Sequence, residues 1–340
     1  MVNVDQSEDS APTGIVRQNT AIWRVILKKY GIITAFIVLC AVLSVMSPYF
    51  LTTQNILNVL RQSSINGILA IGVSFVILTG GIDLSVGSVV ALAGIIGASF
   101  ATTSPVAGIA GAPYPAVLAI LVGLVVGLCV GTVSGTVVAR FKVPSFVVTL
   151  GMLSSVRGLT MLYTDGKPVP SLTPSFRWMG TSTVLGIPVP IFILLFVFAI
   201  SWWVLTKTRY GRYIYAVGGN PRAASTSGIN VRSIRRSVYM ISGVTAGLAG
   251  LLLSARTGSG LTQAGISYEL DAIAAVVIGG TSLSGGVGSV TGTLVGTLII
   301  AVMNNGLDLL GVDSNYQQFI KGLMIVFAVL IDTSRQKEAE

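Results

Sequence analysis

The chain has 340 residues, of which 52% are hydrophobic and only 10% charged, with a formal net charge of +9. Ordinary soluble domains carry roughly 25% charged residues, so this composition excludes one and predicts an all-α polytopic membrane protein. The positive charge does not call for nucleic acid, because the basic residues sit at the ends of apolar runs, where charge asymmetry across a bilayer accounts for them.

Residues 1–20 are polar, with Ser7, Glu8, Asp9 and Pro12, and residues 1–29 are expected to form a disordered cytoplasmic tail. Residues 30–333 make up the membrane domain, and 334–340 a second cytoplasmic tail. A crossing helix needs roughly 20 apolar residues, which predicts about ten spans. In the first half these are 31–47, 65–80, 86–103, 115–138 and 145–162; in the second, 188–206, 237–254, 268–283, 288–309 and 316–332. Lys28 and Lys29 precede the first run, which is read as an uncleaved first helix. With the N-terminus inside, Arg140, Lys142, Lys207, Arg209, Arg212, Arg222, Arg232, Arg235, Arg236 and Arg335 all fall on the cytoplasmic side. Arg61, Lys167, Arg177 and Arg256 fall outside, and that asymmetry fixes the orientation, with both termini cytoplasmic. Cys40 and Cys129 each lie inside an apolar run and are read as small buried hydrophobes. The longest external loop, 163–187, is rich in proline and holds Trp178 at the boundary.

The cytoplasmic loop 207–236 is the one long polar stretch after the tail. Within it, Gly219-Asn220-Pro221-Arg222-Ala223-Ala224 runs on to Gly228. Asn220 is suited to cap a helix, Pro221 to its first position and Gly228 to its stop. The resulting two-turn helix has small central side chains that leave a nearly bare cylinder for a partner's groove. So short a helix is unstable alone in water, so the rest of the protein or a partner must hold it.

A weak internal repeat joins the two halves. Gly80-Gly81-Ile82-Asp83-Leu84-Ser85-Val86-Gly87 matches Gly279-Gly280-Thr281-Ser282-Leu283-Ser284, followed by a two-residue insertion and Val287-Gly288. Each copy follows a short apolar segment, and the span count gives both the same orientation. A Gly-Gly pair breaks a helix, and Asp83 or Ser282 is placed to cap the helix that restarts. Paired, glycine-interrupted spans point to a translocation path, so Gly80, Gly81, Asp83, Ser85, Gly279, Gly280, Ser282 and Ser284 are the candidate pathway or gate. The competing reading is a pair of tight hairpins at the membrane surface.

Asp83 is either a functional intramembrane carboxylate or a cap on the cytoplasmic rim. Glu269 and Asp271 open the eighth span, where they complement the helix dipole or form an external docking rim. Arg157 and Lys321 fall within spans and are expected to pair or to snorkel. Gly123, Gly127, Gly131 and Gly135, like Gly292 and Gly296, have the small-xxx-small spacing that lets helices touch along their backbones. The chain has no histidine and so lacks the commonest general base and metal ligand. It also has no phosphate loop, since Gly166-Lys167 is followed by Pro168. No catalytic, cofactor or metal site is therefore expected, and any nucleotide energy must arrive through another subunit.

Three stretches carry a resemblance. They are Leu78-Thr79-Gly80-Gly81-Ile82-Asp83-Leu84-Ser85-Val86-Gly87, Ala216-Val217-Gly218-Gly219-Asn220 through Gly228-Ile229, and Glu269-Leu270-Asp271 through Gly279-Gly280. With them the chain resembles the permease subunits of bacterial ABC importers, in the sugar branch that includes ribose, xylose, arabinose and galactoside permeases. That resemblance implies a multi-pass protein of the bacterial cytoplasmic (inner) membrane, paired with itself or a paralogous permease. It implies an ATPase partner, often two fused modules, that binds ATP and Mg, and a periplasmic or surface-anchored receptor that delivers a monosaccharide. It assigns Gly219, Asn220, Pro221, Arg222, Ala223, Ala224 and Gly228 to the helix that couples to the ATPase, with Arg222 standing where the wider importer pattern has Glu. The alternative function is an ion-coupled secondary transporter using Asp83.

Overall fold

A computed structural model describes residues 31–105 and 114–337. The tail 1–29, with its Arg17, Arg24, Lys28 and Lys29, lies outside the described residues, as does the end of the second tail, 338–340. In chain order the helices are α1 (Gly31–Met46), α2 (Thr53–Leu78), α3 (Val86–Ala101), α4 (Ala116–Phe141), α5 (Ser145–Thr164), α6 (Pro174–Thr181) and α7 (Val189–Lys207). They continue as α8 (Arg209–Gly219), α9 (Pro221–Thr226), α10 (Val231–Thr257), α11 (Tyr268–Ile278), α12 (Val290–Leu309) and α13 (Ser314–Lys337). Among the described residues 6 helices are long and apolar enough to cross a membrane: α2, α4, α5, α7, α10 and α12.

Several boundaries depart from expectation. The second span was expected to open at 65, but α2 begins at Thr53, so Arg61 belongs to a helix rather than to an external loop. The polar residues Gln54, Asn55, Asn58, Arg61 and Gln62 hide this first part of the helix from an apolar count. Asn55 is satisfied by the side chain of Asn305 across the bundle, at 2.8 and 2.9 Å. The stretch 163–187 carries helix α6 and a hairpin of β1 (Thr183–Val184) and β2 (Ile187–Pro188), so the protein is not wholly α. Leu185 and Gly186, both at positive φ, turn that hairpin. The start of the second tail is helical, because α13 continues to Lys337.

The core forms around α10, which packs on α2, α3 and α4. Its contact with α4 is a seam of glycines. Gly127 and Gly131 lie against the carbonyls of Gly243 and Tyr239, and Gly135 lies 2.7 Å, measured from a β-carbon built on it, from that of Arg236. Gly292 and Gly296 of α12 meet α11 in the same way, at Gly279 and Ala275. The small-xxx-small spacing is thus used for backbone contact, as the sequence predicts. Arg157 and Lys321 are also resolved. Lys321 Nζ lies 3.1 Å from Asp271 Oδ2, whereas Arg157 donates through one Nη1 to the carbonyls of Thr262 and Ala264, at 2.8 and 2.9 Å.

Candidate functional site

Helices α2 and α11 stop in the same way. Gly80 N–H reaches Ile77 O and Gly81 N–H reaches Val76 O; Gly280 N–H reaches Val277 O and Thr281 N–H reaches Val276 O. Both are Schellman ends, in which a left-handed residue returns two donors to the last turn. That residue is Gly80 in one copy and Gly280 in the other, at φ +73 and +86. The structural repeat therefore pairs Gly80 with Gly280, not with Gly279. The chain also restarts differently, at Val86 and Val290, so the second connection is longer than the two-residue insertion read from sequence.

This register changes the roles of two residues. Ser282 does not cap the restarting helix; Ser289 does, accepting from Gly292 N–H at 3.1 Å, while Ser282 bonds Ser284 within the connection at 2.9 Å. Asp83 is not a helix cap on a rim either. It is 2% exposed, and Oδ1 accepts from the amide and hydroxyl of Ser85, at 3.0 and 2.6 Å, while Oδ2 accepts from Ser242 of α10 at 2.8 Å. Residues 81–85 form a non-helical strand of backbone inside the bundle. Ser145 accepts from Ile82 N–H at 3.1 Å and Thr149 donates to Ile82 O at 3.2 Å. Non-helical backbone is tolerated within a membrane protein where protein groups satisfy it, and α5 and α10 supply those groups here.

The two breaks meet. Gly286 N–H donates to Leu78 O at 3.0 Å, and a β-carbon on Gly285 would lie 2.7 Å from Gly80 N. A β-carbon built on Gly218, at the end of α8, would collide with Leu78 O and Gly286 N, and one on Gly286 would lie 2.8 Å from Gly219 Cα. Tyr215 adds a side-chain tie, its hydroxyl donating to Gly288 O at 3.0 Å. Burial pushes the Tyr215 phenol above its ordinary value. Three backbones thus converge at the end of the bundle that carries the basic loop.

From this junction the chain passes directly into α9. Asn220 Oδ1 accepts from the amides of Arg222 and Ala223, both at 3.0 Å, and Pro221 takes the first position. Gly228, at φ +83, ends the helix with a third Schellman pair, Gly228 N–H to Ser225 O and Ile229 N–H to Ala224 O. The cap, first position and stop fall where the sequence places them. Ala224, however, is 4% exposed and faces the protein, so it anchors the helix; Arg222, Ala223, Ser225 and Thr226 face outward. A six-residue helix is too short for any apolar periodicity to mark its inner face.

Glu269 and Asp271 lie in the first turn of α11 and pack inside the bundle. Helix α11 has 11 residues and rises about 16 Å, roughly half the ~30 Å hydrocarbon layer. Its far end is fixed at the glycine junction, so its first turn lies within the bundle. Asp271 is buried and paired with Lys321, and Glu269 packs against Gly87 of α3.

Sequence reasoning missed one face. Helix α5 buries the smallest share of the 6 spans, yet its outward side carries Gly151, Ser154, Ser155 and Gly158. Nothing of the chain lies within 4 Å of a β-carbon built on either glycine.

Comparison with known proteins gives a consistent result. The family described as the branched-chain amino acid transport system / permease component matches residues 55–329. The chain is 48% identical over 318 residues to the ribose import permease protein RbsC of Haemophilus influenzae, covering 92% of this chain and 95% of that protein. It is 46% identical to the protein of the same name from Bacillus subtilis, over 92% of this chain and 95% of that one. It is 38% identical to the galactose/methyl galactoside import permease protein MglC of Escherichia coli, over 90% and 94%. No solved structure matches the chain.

Proposed function

The chain belongs to the family of transport-system permease components, and from that premise we propose that it is the membrane-spanning subunit of an ABC importer for a ribose-like monosaccharide. It is a transport subunit; a separate ATPase binds ATP with Mg and hydrolyses the ATP, and a soluble sugar-binding receptor delivers the substrate from outside. In the bacterial cytoplasmic membrane it crosses about ten times, with both termini inside: α1, α3, α11 and α13 join the 6 long apolar helices as shorter or more polar crossings. The observation that carries the reading is the convergence of the capped helix α9 with both glycine breaks. A push on α9 is delivered through Gly218 and Gly286 to Leu78, and so to the strand 81–85 inside the bundle.

The outward face of α5 supports a second permease chain. Lipid offers no partner to Ser154 and Ser155, whereas small-residue faces are where membrane helices approach one another. Placed against its counterpart, this face lines a polar path between the two chains. The ion-coupled alternative is weaker, because both oxygens of Asp83 are already taken by Ser85 and Ser242.

Ala223→Glu tests the reading, since Ala223 is exposed on α9 while Ala224 is not. The variant is expected to insert normally, to lose its ATPase partner on purification and to lose ATP-driven sugar uptake in proteoliposomes. Retention of both, or accumulation of sugar by the purified chain with no nucleotide present, would refute it.

A further inference from the structure

The turn between α4 and α5, the start of α10, helix α9 and the break at 79–82 enclose a cavity of about 1010 Å³. Four cationic side chains line it, Lys142, Arg222, Arg232 and Arg235, and no carboxylate does. A neighbouring cavity of about 660 Å³ shares Arg232 and adds Arg140 and Arg236. Among the described residues the one ion pair is Lys321 with Asp271, so none of these six cations pairs with a described carboxylate. Bilayer charge asymmetry explains why they lie at this end of the molecule; it does not explain their convergence on one concavity. The first turn of α10, at Val231 and Arg232, adds the partial positive charge of a helix N-terminus.

Val138, Val143, Phe146 and Ile229 give the same cavity an apolar part. Phe146, at the start of α5, is exposed. A cationic recess with apolar lining residues fits a ligand with a phosphate head and an apolar body. Arginine forks bind phosphate oxygens in pairs, and an overall neutral headgroup would leave the surplus positive charge unmatched.

We infer that this cavity binds the phosphate group of an anionic phospholipid from the inner leaflet, with Arg232 and Arg235 as its principal ligands and Lys142 at the mouth. Free phosphate shares the head chemistry but not the apolar body. Arg222 and Ser225 belong both to this cavity and to the outward face of α9, so the test changes only Arg232 and Arg235 of α10 and leaves that face intact.

The full-length permease in mild detergent is titrated with phosphatidylglycerol or phosphatidylethanolamine, and lipid retention is read by native mass spectrometry. Each Lys or Arg near an anionic lipid surface contributes about fivefold in affinity, so Arg232→Gln with Arg235→Gln should weaken phosphatidylglycerol retention by about 25-fold. Phosphatidylethanolamine retention should not change, and millimolar inorganic phosphate should not displace the bound phosphatidylglycerol. Displacement by phosphate would assign the cavity to free phosphate and keep the phosphate site. A matched variant outside the cavity, Arg209→Gln with Arg212→Gln, removes the same charge and should retain lipid as the wild type does. Equal loss in both variants, or no loss in the first, overturns the inference. So does a first variant that keeps its lipid but loses the ATPase, since the cavity would then serve an acidic protein surface.

Discussion

Replacing Gly218 with alanine places a methyl group inside the contact distance of Leu78 O and Gly286 N, the two atoms whose hydrogen bond joins the breaks. Backbone occupies both sides, so no flexible side chain can swing away. Overpacking of this kind costs about 1–3 kcal/mol, and parting Gly286 from Leu78 forfeits a buried backbone bond worth about 1 kcal/mol. A total loss of about 2–4 kcal/mol in stability is expected. The functional readout is more specific. With the base of α9 displaced from Leu78, sugar-stimulated ATP hydrolysis should continue while sugar moved per ATP falls several-fold in proteoliposomes containing the ATPase and receptor. Gly219→Ala is the control next door, because nothing lies within 4 Å of a β-carbon at that position. If the two variants melt at the same temperature and transport the same amount of sugar per ATP, the junction carries no force and the reasoning is wrong.

Tyr215→Phe removes only the hydroxyl bonded to Gly288 O, and should cost about 1 kcal/mol and lower sugar moved per ATP less than Gly218→Ala does, measured in the same proteoliposomes. Lys321→Met leaves the buried Asp271 carboxylate without its cation and should destabilise by about 3 kcal/mol in a thermal melt, most of it recovered by adding Asp271→Asn. Equal melting of the single and double variants would show the pair to be inert. Ser242→Ala takes one donor from Asp83 and should lower stability by about 1–3 kcal/mol, with a thermal midpoint unchanged from wild type counting against a structural role for that bond.

Much of this was legible in the chain itself. Apolar runs located the helices, and the glycine spacing of α4 announced backbone contact before its partner in α10 was known. The cap, proline and stop of α9 were readable because each depends on a residue's own backbone preference. The register of the repeat was not, because Gly80-Gly81 and Gly279-Gly280 align by identity with a one-residue slip that only the helix-end hydrogen bonds remove. Nor was the setting of Asp83, whose partners Ser85 and Ser242 look alike as text although one is local and the other lies on α10. Ala223 and Ala224 are the same residue type, and only packing assigns one to each face.

Where α4 and α10 touch through bare main chain, there are no rotamers to adjust and no slack to take up. The pair behaves as a single plank. Whatever opens and closes this protein must therefore move beside that plank, and the short extended run between Gly81 and Ser85 is tied to it through Asp83 and Ser242.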